Sequence, residues 1–93
     1  MSLRWAPEVL LALAEGPRRF NALLNSGALE GISDRILTER LRDLEDLGLA
    51  ARHVEAGPPV RVTYRLTEAA LPYIPPLRQL ASLSQQEVDS QAV

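Results

Sequence analysis

A mainly helical fold carrying one small antiparallel β-hairpin is predicted for this chain by three features. An amphipathic segment, Gly31–Gly48, has a start signal and a stop signal at its ends. Two shorter helical patterns precede it, and an alternating run, Val60–Leu66, follows it behind a Gly/Pro break. The length of 93 residues suits one domain, and a hydrophobic fraction of 46% with few aromatics predicts an aliphatic core.

In chain order, Ser2–Trp5 is a lead-in. Pro7 at a first helical position and Glu8 in the first turn open a first helix, with Val9, Leu10 and Leu13 facing inward and Gly16-Pro17 ending it. Trp5 reads as a core or subunit-contact residue. A short second helix is expected over Arg18–Asn25, with Phe20, Leu23 and Leu24 inward. Arg18 and Arg19 stand at its start, where cationic side chains and free N–H groups can hold a phosphate; a solvated arginine pair is the competing reading. Ser26–Gly31 is a Gly-containing turn.

The central segment reads as one helix over residues 33–47. Ser33 is the N-cap and Asp34 suits the positive end of the dipole. Ile32 and Leu37 have the spacing of a hydrophobic staple. Gly48 supplies a left-handed residue after the C-terminus, so that Leu49 packs back on Leu44 in a Schellman stop. At about 100° per residue, Leu37, Leu41 and Leu44 form one stripe, flanked by Ile36 and Leu47. Arg35, Glu39, Arg42 and Asp46 lie opposite, with Thr38 at the edge. A charged face of this kind is either solvated or offered to a partner.

Leu49–Glu55 has strand character, and Ala56-Gly57-Pro58-Pro59 breaks it. In Val60–Leu66, Val60, Val62, Tyr64 and Leu66 share one face and Arg61, Thr63 and Arg65 the other. Two strands with a Gly/Pro tip form a hairpin, and the prolines limit edge pairing. His53 reads as a surface strand residue. Thr67-Glu68 starts a last helix in which Leu71, Ile74, Leu77 and Leu80 permit an apolar stripe. Pro72, Pro75 and Pro76 predict a kink or break near Tyr73–Pro76. Ser82–Val93 is polar.

Composition narrows the chemistry. There is no cysteine, which excludes disulfides, thiolate metal sites and thiol sensing within these residues, and the single histidine argues against a His-based metal site or triad. No nucleophile–base–orienter set is present, so no enzyme, metal or cofactor is expected. No segment is long and apolar enough to span a bilayer, and no secretory signal is visible, so a cytoplasmic protein is expected. Net charge is −2, yet the Lys+Arg count is all arginine, and eight of the ten fall at Arg18-Arg19, on the central helix and in the hairpin. Distribution outweighs the sum when nucleic acid is the partner.

Helix, short turn, helix and hairpin together outline a winged helix-turn-helix. Here the residues resemble the HxlR-type transcriptional regulators, over roughly residues 4–80. Trp5 with Val9-Leu10 and Leu13, then Gly16-Pro17-Arg18-Arg19-Phe20, are similar to the family's first helix and its entry to the second. Gly31-Ile32-Ser33, Leu37-Thr38, Arg40-Leu41, Leu44-Glu45 and Gly48-Leu49 are similar to its recognition helix. Pro59, Arg61-Val62, Tyr64 and Leu66-Thr67-Glu68 are similar to its wing and last helix. The chain departs from the pattern in lacking the cysteine often used for sensing. The segment Leu24–Gly31 is about two residues longer than usual. Ala70 and Leu71 stand in place of a glycine and a basic residue.

The resemblance implies a sequence-specific DNA-binding transcriptional regulator, with residues 1–81 as the winged helix-turn-helix domain and residues 82–93 as a polar, flexible tail. Helix 33–47 would read the major groove through Ser33, Asp34, Arg35, Thr38 and Glu39. Arginine can fork onto guanine, and Glu39 can accept from cytosine. Arg18, Arg19, Arg42 and Arg61 would meet phosphates, with wing residues 55–61 on the backbone or in the minor groove. Arg40, close to the leucine stripe, reads as stem-packed or internally paired. A homodimer through the terminal helices, on a double-stranded operator with an inverted repeat, is implied; a small-molecule effector is left open. The alternative is a winged helix used as a protein-interaction or dimerisation module, which the acidic stretch at Asp43, Glu45 and Asp46 favours.

Overall fold

The computed structural model describes residues 4–91, with side chains over 4–83. Helix α1 spans Ala6–Ala14, α2 Phe20–Leu24, α3 Asp34–Asp46 and α4 Ile74–Gln91; strands β1 (Ala50–Glu55) and β2 (Arg61–Leu66) form the sheet. Short 3₁₀ turns cover Gly27–Leu29 and Glu68–Tyr73. The mainly helical, winged helix-turn-helix expectation holds.

Helix α1 begins with Pro7 in its first turn, where a missing N–H breaks no helical bond, and buries Val9, Leu10, Ala12 and Leu13. Helix α2 is shorter than the sequence suggests. Arg18 lies ahead of it in an extended bridge to Tyr64 and Arg19 is its N-cap, so neither arginine belongs to the helix. Only Leu23 of α2 is fully buried; Phe20 and Leu24 pack at the core's edge. The segment read as a plain turn holds a 3₁₀ turn whose Leu29 is completely buried.

Helix α3 has both predicted ends. The Ile36 N–H donates to Ser33 Oγ at 3.1 Å. Gly48, at φ +75°, donates to the Glu45 carbonyl at 2.9 Å, and Leu49 to the Leu44 carbonyl at 2.9 Å, which is the bond pair of a Schellman stop. Leu37, Leu41 and Leu44 are buried to within 2% and sit in one cluster with the α1 leucines, Ala70 and Ile74. Arg40 is buried beside them. Its guanidinium is paired with Asp43 and faces Glu39, which offsets the desolvation of a buried charge.

The strands pair antiparallel, from Ala50 opposite Leu66 to Glu55 opposite Arg61. Val62, Tyr64 and Leu66 are half-buried as the alternation predicts, but Val60 lies beyond the sheet and is 65% exposed. At the tip, a Cβ on Gly57 would stand 2.0 Å from the Pro59 carbonyl oxygen, so only glycine fits there.

The last helical region is broken where the prolines predict. Pro72 lies in the 3₁₀ turn, and Pro75 and Pro76 open α4, where their lost N–H groups had no helical partner. The apolar stripe is only partly used: Ile74 is buried and Leu77 half-buried, while Leu71 and Leu80 are exposed. Within the stretch 82–93, expected to be a polar, flexible tail, helix α4 continues as far as Gln91, and residues 92 and 93 lie outside the described residues. Thr67 fastens this region to the end of α3. Its N–H donates to the Leu49 carbonyl at 3.1 Å and its hydroxyl to the Gly48 carbonyl at 2.6 Å.

Candidate nucleic-acid interface

Because the leucine stripe of α3 is committed to the core, the opposite face must look outward. Ser33, Asp34, Arg35, Thr38 and Arg42 are exposed, and Glu39 is half-buried. Their chemistry is partly spoken for. Ser33 Oγ accepts from the helix but keeps its O–H to donate. Thr38 donates its hydroxyl to the Asp34 carbonyl at 2.8 Å, which leaves only its lone pairs to meet a base. Arg35 Nη1 donates to Glu39 Oε1 at 3.0 Å. The two long side chains proposed to read bases therefore meet each other first.

Further along α3, Thr38, Leu41, Arg42, Glu45 and Asp46 line an open cleft whose other wall is Arg52 and Tyr64 of the hairpin. The structure thus places Arg42 and Arg52 on one concavity, tempered by two carboxylates. Arg52 was assigned no role from the sequence. Its signal is visible only once register is known: Arg52 lies opposite Tyr64, one residue along from Ala51, in the half of β1 nearest α3.

A second groove runs between α2 and the hairpin tip, lined by Arg19–Ala22 on one side and Pro59–Val62 on the other. It brings Arg19 and Arg61 together, although 42 positions separate them in sequence (61 − 19). Both are exposed. Arg18 does not join them in the same way. Its backbone exchanges hydrogen bonds with Tyr64, and its side chain reaches Glu15 Oε2 at 3.5 Å and the Pro17 carbonyl at 3.3 Å. That guanidinium is half-buried and occupied locally.

The candidate surface is therefore the exposed side of α3 with two arginine-bearing concavities beside it, both completed by the hairpin. Such an arrangement can insert a helix into a groove while arginines grip phosphates. Among the described residues no group of three or more His, Cys, Asp or Glu is placed to hold a metal ion. No described helix is long and apolar enough to cross a membrane. His53 is exposed on β1 opposite Thr63.

Comparison with known proteins agrees with the fold. A family model described as HxlR-like helix-turn-helix matches residues 1–92. The uncharacterized HTH-type transcriptional regulator YvaP of Bacillus subtilis is 33% identical over 89 residues, which is 96% of this chain and 81% of that protein. The HTH-type transcriptional regulator YodB of the same organism is 37% identical over 65 residues, covering 70% of this chain and 56% of YodB. Among solved structures, the redox regulator HypR in its reduced form superposes with a TM-score of 0.84 at 28% identity, covering 96% of this chain and 86% of HypR. Diamide-treated YodB superposes with a TM-score of 0.74 at 30% identity, covering 89% of this chain and 80% of YodB.

Proposed function

Since the chain belongs to the HxlR-like helix-turn-helix family and is a DNA-binding transcriptional regulator, we propose that α3 reads the major groove with Ser33, Asp34, Arg35, Thr38 and Glu39. The observation that carries this is the division of α3 itself: one side is fixed in the core by Leu37, Leu41 and Leu44, and the other is exposed. Arg19 and Arg61 hold one stretch of backbone from the groove beside α2, and Arg42, joined by Arg52, holds another. Arg18 contributes charge at the edge of this surface. Wing residues 55–61 lie along the backbone or enter the minor groove.

We further propose a homodimer through the terminal helices. Helix α4 carries Leu80 and Leu83 at 62% and 53% exposure, beyond the last residue that packs on the core. The molecule is 54 Å long and only about half as wide, which suits an arm that pairs with a second copy. A twofold pair would set its reading helices about 34–36 Å apart and prefer an inverted repeat. The DNA-binding domain is residues 1–81, followed by the polar stretch 82–93 into which α4 runs as far as Gln91, in a cytoplasmic protein with no catalytic role. Nothing in the fold or the relatives favours an interaction module that leaves DNA alone.

The test is selection of bound duplexes from a random pool at low salt. Recovery of a shared motif with twofold symmetry is expected. Failure to retain any duplex at low salt would overturn the reading.

A further inference from the structure

A row of ion pairs runs along α3 from its outward face to the edge of the core. Arg35 Nη1 meets Glu39 Oε1 at 3.0 Å, Glu39 Oε2 faces Arg40 Nη2 at 3.8 Å, and Arg40 Nη1 is bonded to Asp43. The two ends differ in freedom. The Arg35 side chain is 75% exposed, whereas that of Arg40 is 10% exposed and wedged beside the leucine stripe. An exposed ion pair on a helix holds weakly on its own. Here the carboxylate has a second guanidinium, that of the buried Arg40, 3.8 Å from its other oxygen.

We propose that Glu39 is a positioning residue: anchored by Arg40, it presents Arg35 to a single base and so sets sequence discrimination there. The inference rests on the reading of α3 as the base-reading helix and deepens it. One Glu39 oxygen is bonded to Arg35 and the other faces Arg40, so part of its acceptor capacity is engaged before it meets a base. Holding Nη1 leaves the Nε/Nη2 edge of Arg35 unencumbered by Glu39, and those parallel donors match O6 and N7 of guanine. An unheld arginine would swing between bases and phosphates and read neither well.

The experiment uses the full chain and the duplex recovered by selection. Arg35→Ala first identifies the base pair at which preference is lost. Discrimination at that pair, and at the other pairs of the motif, is then measured for the unaltered protein, Glu39→Gln, Arg40→Met and the Arg35→Ala/Glu39→Gln double variant. Glu39→Gln should lower discrimination at that pair about tenfold and leave the others alone, and the double variant should be no worse than Arg35→Ala. Arg40→Met should reproduce the loss although Arg40 is buried; if that variant does not fold, Glu39→Gln decides alone. Equal discrimination by Glu39→Gln and the unaltered protein, or an even change at every pair, overturns the proposal while α3 remains the reader. If Arg35→Ala alters no preference, or the unaltered protein selects no motif, the proposal falls; the second result also removes the reading beneath it.

Discussion

Arg18 and Tyr64 exchange both backbone hydrogen bonds, Arg18 N–H to Tyr64 O at 2.9 Å and Tyr64 N–H to Arg18 O at 2.8 Å. The entry to α2 is thereby a one-residue third strand of the hairpin sheet. This bridge ties the wing to the helix-turn-helix beside the Arg19–Arg61 groove.

Proline at position 18 removes one of those two bonds, and alanine keeps both. Arg18→Pro should lower unfolding free energy by about 1–3 kcal/mol and Arg18→Ala by less than about 1 kcal/mol. Urea denaturation of the pair checks this; equal losses would mean that the bridge contributes nothing.

Gly48 ends α3 at a positive φ. Ala at that position should cost about 1–2 kcal/mol, and Asn less, because its side chain tolerates the left-handed region. Thermal melts of Gly48→Ala and Gly48→Asn give the order directly, and Ala melting at or above Asn would contradict it.

Leu41 is 1% exposed at the centre of the core, while Arg35 on the opposite face pairs with Glu39. Leu41→Ala should destabilise by about 2–5 kcal/mol, a large share of a small domain's total. Arg35→Ala should stay within about 0.5 kcal/mol of the unaltered protein. Chemical denaturation separates the two faces of the helix.

On DNA the arginines should divide by kind. Arg19→Ala and Arg61→Ala should weaken all duplexes alike, each reducing the slope of log affinity against log salt by about one. Arg35→Ala should change which sequence is preferred. Fluorescence anisotropy at several salt concentrations distinguishes these, and an unchanged slope for Arg61→Ala would remove the wing from the phosphate contacts.

Leu80→Glu with Leu83→Glu places two charges on the unused stripe of α4. If the chain pairs through this stripe as proposed, sedimentation should show a dimer for the unaltered chain and a monomer for the double variant, with the monomer melting lower at equal concentration. A dimer that survives both charges would move the interface away from this stripe.

The parts legible in the sequence were those encoded locally. The capped ends of α3, its leucine stripe and the proline break before α4 each depend on residues a few positions apart. Arg40 was legible as internally paired because it lies near that stripe. Other features depend on contacts between distant residues. Arg18 looked like the first turn of a helix because only the fold brings Tyr64 to its backbone. Leu29 sat in a segment too short to show periodicity, so its complete burial was hidden. Arg52 gained a place beside Arg42 only through strand register. The stripe Leu71, Ile74, Leu77 and Leu80 was legible as apolar, but which members pack is decided by where the body of the protein ends.

The double tie from Thr67 to Gly48 and Leu49 makes the junction of α3 with the last helical region a fulcrum. A swing of α4 passes through the Glu68–Tyr73 turn to Thr67, the residue that grips the terminus of α3. In the proposed dimer, two copies joined arm to arm would hold their α3 helices at a spacing and pitch set by the arms, and a force that tilts the arms would reach α3 through Thr67, like torque on a hinge pin.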